Sequence, residues 1–157
     1  MTSFIGREQE IQEVADLLGR SRLLSLTGSG GCGKTRLALQ VGAASANQFS
    51  DGVWFAELAP VSNPAQVAPT IAALFGLKED AGRPIEVTLS QYLGDRQALI
   101  LLDNCEHVLG TCSALTETLL RQCANLKILA TSREALGVTG ERSYRVPSLK
   151  LPQAATC

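Results

Sequence analysis

The chain has 157 residues, of which 45% are hydrophobic and 18% are charged, a balance typical of a folded globular domain with a sizeable core. The formal net charge of −1 argues against a broad nucleic-acid-binding surface. No apolar run approaches the ~20 residues of a membrane span, and the first residues lack the basic and apolar regions of a signal peptide.

The first elements follow from hydrophobic spacing. Apolar residues recur on one face between residues 7 and 19, which predicts an amphipathic helix. The apolar run at 22–27 predicts a core strand. A helix is predicted from residue 34 to about residue 46, directly after a glycine-rich segment.

The remaining chain alternates short apolar runs with helical patterns. The continuous apolar run at 98–102 is typical of a strand buried on both faces of a parallel sheet. Further strands are predicted at 53–56, 126–131 and 144–146, and further helices at 64–75, 86–94 and 105–124. This alternation predicts an α/β fold, a three-layer α/β/α sandwich around a mainly parallel five-stranded sheet.

The cysteines favour a reducing compartment. Their number is five, which is odd, and no two of them form a C-x-x-C pair. This usage is typical of free thiols in the cytosol rather than of a disulfide framework, so a cytoplasmic location is expected. The cysteines are Cys32, Cys105, Cys112, Cys123 and Cys157.

The glycine-rich segment at 28–35 reads GSGGCGKT and fits the pattern G-x-x-x-x-G-K-[ST] of a P-loop, between a predicted strand and a predicted helix. Its glycines let backbone N–H groups surround a phosphate. Lys34 would supply a positive charge for the β- and γ-phosphates, and Thr35 a hydroxyl ligand for Mg²⁺. We therefore expect a P-loop NTPase fold that binds a nucleoside di- or triphosphate with Mg²⁺. The expected binding residues of this segment are Gly28, Gly30, Gly31, Cys32, Gly33, Lys34, Thr35 and Arg36.

A carboxylate follows the buried strand. Residues 99–103 are four apolar residues and then an aspartate, the Walker B pattern, at the end of a parallel strand where ligands bind. Asp103 is therefore predicted to hold Mg²⁺, directly or through water, together with Thr35. Capping of the next helix is the alternative role of this carboxylate, and one side chain can do both.

A cation follows the next predicted strand. Arg133 comes two residues after the end of the strand at 126–131, where a guanidinium could reach a γ-phosphate and distinguish ATP from ADP. The alternative is a surface arginine at a helix start, with Glu134 as its local partner.

Together these motifs resemble the STAND class of signal-transduction ATPases, and within it the NB-ARC-like module of bacterial LuxR-type and SARP-like transcriptional regulators. Four blocks carry the resemblance: residues 4–8 (FIGRE), 28–35, 101–107 and 130–134. A strand at 52–57 lies between the two phosphate-site motifs along the chain, which resembles the additional-strand division of P-loop ATPases.

The resemblance implies roles that the residue pattern alone does not predict. It implies that Ile5, Gly6 and Arg7, ahead of the first helix, lie against the adenine and ribose. It also implies that ADP is bound in a resting state and ATP in an active one, with slow hydrolysis that acts as a timer.

One departure from the family pattern concerns catalysis. Many members of the family have a second acid after the Walker B aspartate, where this chain has Asn104, and an amide cannot accept a proton at pH 7. Glu106 is the nearest substitute as a base. The candidate catalytic residues are therefore Asp103, Glu106 and Arg133, and nucleotide binding is expected without efficient hydrolysis.

A second departure concerns domain organisation. The family closes the nucleotide site with a following helical domain, whereas this sequence ends at Cys157. We expect residues 1–147 to form the P-loop domain, with helix 7–19 packed on it. Residues 148–157 are then a tail, or the start of a helical lid domain that is missing from an excised piece.

The sequence thus predicts the ATP/ADP-binding switch domain of a larger signalling or transcriptional regulator, with slow or no hydrolysis. Its expected partners are an adenine nucleotide and the other domains of the parent protein, with nucleotide-dependent self-association as a further option, no direct nucleic-acid contact and no membrane contact. The alternative is a catalytically competent stand-alone ATPase or small-molecule kinase with Glu106 as base. A DNA-bound AAA+ motor is disfavoured because the sequence lacks a basic stripe and an obvious arginine finger.

Overall fold

The structure is a computed structural model that describes the backbone of residues 2–30 and 33–147 and the side chains of residues 7–30 and 33–147. The predictions for Gly31, Cys32 and residues 148–157 lie outside the described residues. Five strands form one sheet in which all four pairings are parallel, which confirms the predicted α/β fold. The strands are β1 (Leu23–Thr27), β2 (Val53–Glu57), β3 (Leu99–Asp103), β4 (Lys127–Ser132) and β5 (Arg142–Arg145).

Five α-helices cover the two faces of this sheet. The α-helices are α1 (Thr2–Gly19), α2 (Lys34–Ala44), α3 (Val67–Leu74), α4 (Ile85–Leu93) and α5 (Leu109–Gln122). Short 3₁₀ turns lie at Ala46–Gln48, Pro64–Gln66 and Cys105–Val108. No helix in the described part of the chain is long and apolar enough to cross a membrane.

The strand order β2-β3-β4-β1-β5 places β4 between β1 and β3. The strand at 53–57 lies between the two phosphate-site motifs along the chain, but in the sheet it is an edge strand. The strand inserted between the P-loop strand and the Walker B strand is therefore β4. This position brings the end of β4 next to both motifs.

The side chains of β3 show how the sheet builds two cores. Leu99 and Leu101 pack with buried residues of α1 and α2, whereas Ile100 and Leu102 pack with buried residues of α3, α4 and α5. Successive side chains of a strand point to opposite faces, so a strand buried on both faces is apolar throughout. Each fully buried leucine or isoleucine contributes roughly 1.5–3 kcal/mol relative to its exposed state.

The first helix begins earlier than the sequence predicts. Helix α1 starts at Thr2 rather than residue 7, so the FIGRE block at 4–8 lies inside the helix and not ahead of it. No proline interrupts residues 2–6, and a single glycine in a helix costs only about 1 kcal/mol relative to alanine. Hydrophobic spacing therefore located the apolar face of this helix but not its start.

Two other predicted helices are divided. The helix predicted at 64–75 begins as a 3₁₀ turn, in which Pro64 takes a first-turn position and the Asn63 side chain accepts a hydrogen bond from Ala65 N. The helix predicted at 105–124 is a 3₁₀ turn followed by α5, because Val108 leaves the helical region with φ −134°. The turn begins after Asn104, whose φ is +62°.

A hydrogen bond joins the far edge of the sheet to α1. Tyr144 on β5 donates its hydroxyl hydrogen to Glu13 Oε1 on α1 over 3.0 Å. Burial, and after it this hydrogen bond, raises the pKa of Tyr144 from its ordinary value of 10.0 to about 12. Because the folded state favours the neutral phenol, this stabilisation is fully present below pH 10 and is lost as the pH rises through 12.

We expect Tyr144→Phe to be less stable than the wild type at pH 8, because it loses this hydrogen bond. The difference between the two proteins should shrink as the pH rises from 10 towards 12, where the tyrosine ionises. Urea unfolding at a series of alkaline pH values measures the difference. Tyr92→Phe is the matched control for removing a phenolic hydroxyl, and a constant Tyr144→Phe difference across that range would contradict the prediction.

Candidate functional site

The P-loop segment connects β1 to α2. Gly33 precedes the first residue of α2 with φ +89°, a backbone conformation in which residues with a Cβ are strained. Its carbonyl oxygen accepts the helical hydrogen bond from Leu37 N at 2.9 Å. The glycine at this position therefore lets the chain turn from the loop directly into the helix, whose first N–H groups face the loop.

Lys34 lies inside the loop rather than in solvent. Its Nζ donates hydrogen bonds to the carbonyl oxygens of Gly28 and Ser29, both at 2.9 Å, and the residue is only 6% exposed. A buried ammonium group requires such acceptors because burial without them is costly. These contacts hold the positive charge within the P-loop segment.

The Asp103 carboxylate lies at the centre of a hydrogen-bonded cluster and is 3% exposed. Its Oδ1 accepts hydrogen bonds from Thr35 Oγ1 at 2.7 Å and from Thr131 Oγ1 at 2.8 Å. Its Oδ2 accepts from Asn104 Nδ2 at 3.2 Å. The two motifs found in the sequence are thus in direct contact through Thr35 and Asp103.

The sequence analysis missed Thr131, and it treated Asn104 only as the absence of a second acid rather than as a hydrogen-bond donor to Asp103. The Thr131 hydroxyl also accepts a hydrogen bond from Asn104 N at 2.9 Å, so it bridges the end of β3 and β4. Asn104 holds φ +62°, a left-handed conformation that asparagine tolerates better than most residues. The available signal for Thr131 was a hydroxyl near the carboxyl end of a mainly apolar strand.

Two arginines distant in sequence approach the loop. A Cβ at position 30 would lie 3.7 Å from Nη2 of Arg133, so this side chain reaches the P-loop from the end of β4. A Cβ at position 33 would lie 3.0 Å from Nη2 of Arg7, which is 8% exposed. Arg7 also forms an ion pair with Glu10 at 3.1 Å, one turn further along α1. The side chain of Ile5 and the surroundings of Gly6 are outside the described part of the structure.

A cavity of about 610 Å³ opens beside these groups, within the usual size range of small-molecule sites. It is lined by Gly30, Gly33, Lys34, Thr35, Arg36, Leu39 and Asn104. The P-loop, the first turn of α2 and the residue after Asp103 therefore share one concave surface.

Glu106 borders a neighbouring cavity of about 470 Å³, which Arg133, Glu134 and His107 also line. Its Oε1 is buried and has no hydrogen-bond partner among the described residues. One residue before Glu106 in the chain, a hydrogen bond with Cys112, burial and the nearby carboxylates raise the pKa of the buried Cys105, so this residue is a neutral thiol. Glu106 and Arg133 therefore line one cavity, and their catalytic roles stay predictions.

A family match covers most of the chain. Residues 3–135 match the family described as AAA ATPase domain. The chain belongs to this family. Nucleotide binding is implied by membership in the AAA ATPase domain family and by its P-loop fold.

Two mycobacterial relatives contain similar sequences. An uncharacterized protein of Mycobacterium tuberculosis is 43% identical over 155 residues, which cover 99% of this chain and 39% of that protein. A protein of the same species, provisionally named as an HTH-type transcriptional regulator, is 47% identical over 139 residues, which cover 88% of this chain and 16% of that protein. This AAA ATPase domain thus spans less than half the length of the curated relatives that it matches.

Solved structures share the fold at low sequence identity. Cdc6p from Pyrobaculum aerophilum has a TM-score of 0.69 and 16% identity, over 89% of this chain and 45% of that protein. A STAND protein with a tetratricopeptide repeat sensor from Pyrococcus horikoshii has a TM-score of 0.56 and 16% identity, over 92% of this chain and 23% of that protein. These matches support the AAA ATPase fold.

Thr131→Val tests the hydroxyl bridge of this AAA ATPase domain. The substitution keeps the side-chain shape, but it leaves Asn104 N without its partner and removes one of the two hydrogen bonds to Asp103 Oδ1. We expect it to lower the free energy of unfolding by about 1–3 kcal/mol in urea denaturation.

Thr116→Val is the matched control, because Thr116 is 1% exposed and its Oγ1 has no hydrogen-bond partner among the described residues. We expect the control to be neutral or slightly stabilising, since it removes a buried polar group that makes no bond. Equal losses in both variants would show that the Thr131 hydroxyl bridge contributes no stability of its own.

Proposed function

We propose that this chain is the ATP/ADP-binding switch domain of a larger regulator, with slow or no hydrolysis. The observation that carries the proposal is the direct contact between the first turn of the P-loop helix and the Walker B carboxylate, Thr35 with Asp103, beside the cavity that Lys34 lines. Such an arrangement binds the phosphates of a nucleotide and its metal ion in one place.

The donor set fits Mg²⁺. Thr35 Oγ1 and Asp103 Oδ1 are hard oxygen donors 2.7 Å apart, and no group of three or more histidine, cysteine or carboxylate side chains in the described chain could hold a metal ion. Mg²⁺ commonly binds through one or two protein oxygens together with phosphates and water. Thr35 and Asp103 would hold the ion, which when bound neutralises charge on the phosphates.

The nucleotide-binding roles follow from position. The P-loop residues Gly28 to Arg36 would surround the phosphates, with the Lys34 ammonium as the central charge. Arg7 would contact the nucleotide beside Gly33, while the proposed contacts of Ile5 and Gly6 with adenine and ribose rest on the family resemblance. Arg133 lies close to Gly30 of the P-loop. This position supports a role in which its guanidinium contacts the γ-phosphate of ATP, which ADP lacks.

The residues after Asp103 support slow hydrolysis. The Asn104 amide donates to Asp103 and cannot act as a base. The second candidate function, a catalytically competent ATPase or small-molecule kinase, is favoured by one observation, the buried and unbonded Oε1 of Glu106 in the cavity that Arg133 lines. A buried carboxylate oxygen without a hydrogen-bond partner can act as a general base.

The regulator context comes from the relatives. One relative carries a provisional name as an HTH-type transcriptional regulator, and this chain covers only 16% of it. We propose that the NB-ARC-like resemblance extends to function, with neighbouring domains of a parent protein as partners and nucleotide-dependent self-association as one readout. In this proposal the domain works in the cytoplasm without contacting nucleic acid itself, and its AAA family membership concerns the fold rather than motor activity.

Calorimetry with ATP and ADP in the presence of Mg²⁺ tests the nucleotide site. We expect Lys34→Ala to weaken binding of both nucleotides by about 100-fold or more, because a charge-assisted contact with phosphate is lost. Lys78→Ala, which removes an exposed ammonium outside the site, should bind like the wild type. Unchanged affinity in Lys34→Ala would overturn the proposed site.

A phosphate-release assay distinguishes the proposed nucleotide switch from a catalytically competent ATPase. The switch predicts tight ADP binding and turnover so slow that Glu106→Gln and the wild type do not differ. The enzyme predicts steady turnover that Glu106→Gln lowers by about 10²-fold or more, whereas Glu134→Gln, in the same cavity, stays active.

A further inference from the structure

A second polar cavity lies at the opposite edge of the sheet from the P-loop. Because the strands are parallel, their carboxyl ends, which carry Asp103 and Ser132, lie on one side of the sheet. The amino ends of β1, β4 and β5 lie on the opposite side. On this opposite side is a cavity of about 540 Å³. Its polar lining includes Arg20, Arg22, Lys127, Thr139, Gly140 and Arg142.

The charge of this cavity is one-sided. Four cationic side chains line it, and no carboxylate or aromatic side chain does. None of the four forms an ion pair with a carboxylate in the described part of the chain. The whole chain has a net charge of −1, so this cavity concentrates positive charge on an otherwise balanced protein.

Two of the cations are fixed in place by the fold. Arg22 donates hydrogen bonds to the carbonyl oxygens of Leu120 at 2.7 Å and Leu126 at 3.1 Å, and Lys127 Nζ donates to Leu18 O at 2.7 Å. Neutral carbonyl groups satisfy the donors but do not cancel the charges. Burial, and after it repulsion by the Arg22 cation, lowers the pKa of Lys127.

The other two cations are available for a ligand. Arg20 and Arg142 are exposed, and Arg20 uses only its Nε, over 3.4 Å to Asp16 O. The Arg142 side chain has no hydrogen-bond or ion-pair partner among the described residues. Guanidinium groups hold oxyanions through paired N–H donors, so these two arginines can close on an anion that the fixed cations attract.

We propose that this cavity binds a small anion that carries phosphate groups, such as a pyrophosphate or a phosphate monoester, and that it is separate from the nucleotide site. A phosphate dianion places more negative charge in a small volume than a carboxylate does, which matches four cations without a counter-charge. The lining has no aromatic side chain on which a base could stack, and the surface is concave rather than extended, so a nucleic-acid strand fits it less well.

Titration of the ¹⁵N-labelled chain with inorganic pyrophosphate in Mg²⁺-free buffer tests the proposal. Amide signals locate the binding, so pyrophosphate at the P-loop shifts residues 28–35, and pyrophosphate at the second cavity shifts Arg20, Thr139 and Gly140. We expect saturable shifts at the second cavity whether or not the P-loop signals move. Shifts confined to the P-loop would overturn the proposal and leave the proposed function intact.

Variants of the exposed arginines supply the second measurement. Arg20→Gln combined with Arg142→Gln should weaken pyrophosphate binding at this cavity at least tenfold and leave the P-loop shifts unchanged. Arg83→Gln is the matched control, because it removes one exposed arginine charge elsewhere and should have no effect. Arg22 and Lys127 stay unchanged because they also hold helix ends.

Two further probes separate the sources of the anion. Sodium sulfate at equal ionic strength should bind at least tenfold more weakly than pyrophosphate, and equal binding would overturn the proposal as mere charge attraction. A short single-stranded oligonucleotide should not shift Arg20 or Gly140 at concentrations where pyrophosphate saturates. If the oligonucleotide bound more tightly than pyrophosphate at the same amides, the proposal of a small phosphate ligand would be overturned in favour of a nucleic acid.

Discussion

The structure of the site depends on one buried carboxylate. Asp103 is almost fully buried, and a buried charge is stable only when hydrogen-bond donors surround it. Its donors come from three elements: Thr35 from the first turn of α2, Thr131 from β4 and Asn104 from the end of β3 itself. Satisfying this one group therefore fixes the P-loop helix against two strands, and any element that shifts leaves a charge without its partners.

The same cluster bears on the balance between binding and catalysis. Asn104 takes a left-handed backbone conformation and directs its amide to Asp103, an arrangement that costs some strain and reinforces the carboxylate. A second carboxylate at this position would face Asp103 with a like charge instead. In the proposed switch, Asn104 holds the metal-binding carboxylate of Asp103 in position. It stands where a second acid could activate water for hydrolysis.

The parallel sheet separates two kinds of chemistry. All strands end at one edge, where the P-loop and Asp103 lie, and all begin at the other, where four cations gather. Helix ends strengthen the contrast. The N-terminus of α2 follows the P-loop, while Arg22 and Lys127 donate hydrogen bonds at the carbonyl ends of α5 and α1. Two anion-binding surfaces built in these different ways would lie a full strand length apart.

Local sequence patterns determined the strands, most helix positions, the P-loop and the Walker B carboxylate. Periodicity and motif spacing concern residues that are neighbours along the chain, and a strand buried on both faces must be apolar throughout. The same patterns misplaced the start of α1 and did not predict the break at Val108, since backbone conformation at an element's end depends on packing rather than on spacing. Only the tertiary structure decided that β4 lies between β1 and β3. That strand order brings Thr131 to Asp103 and gathers cations from three separate parts of the chain in one cavity. Contacts between residues far apart in the chain follow from strand order and register, which no local pattern contains.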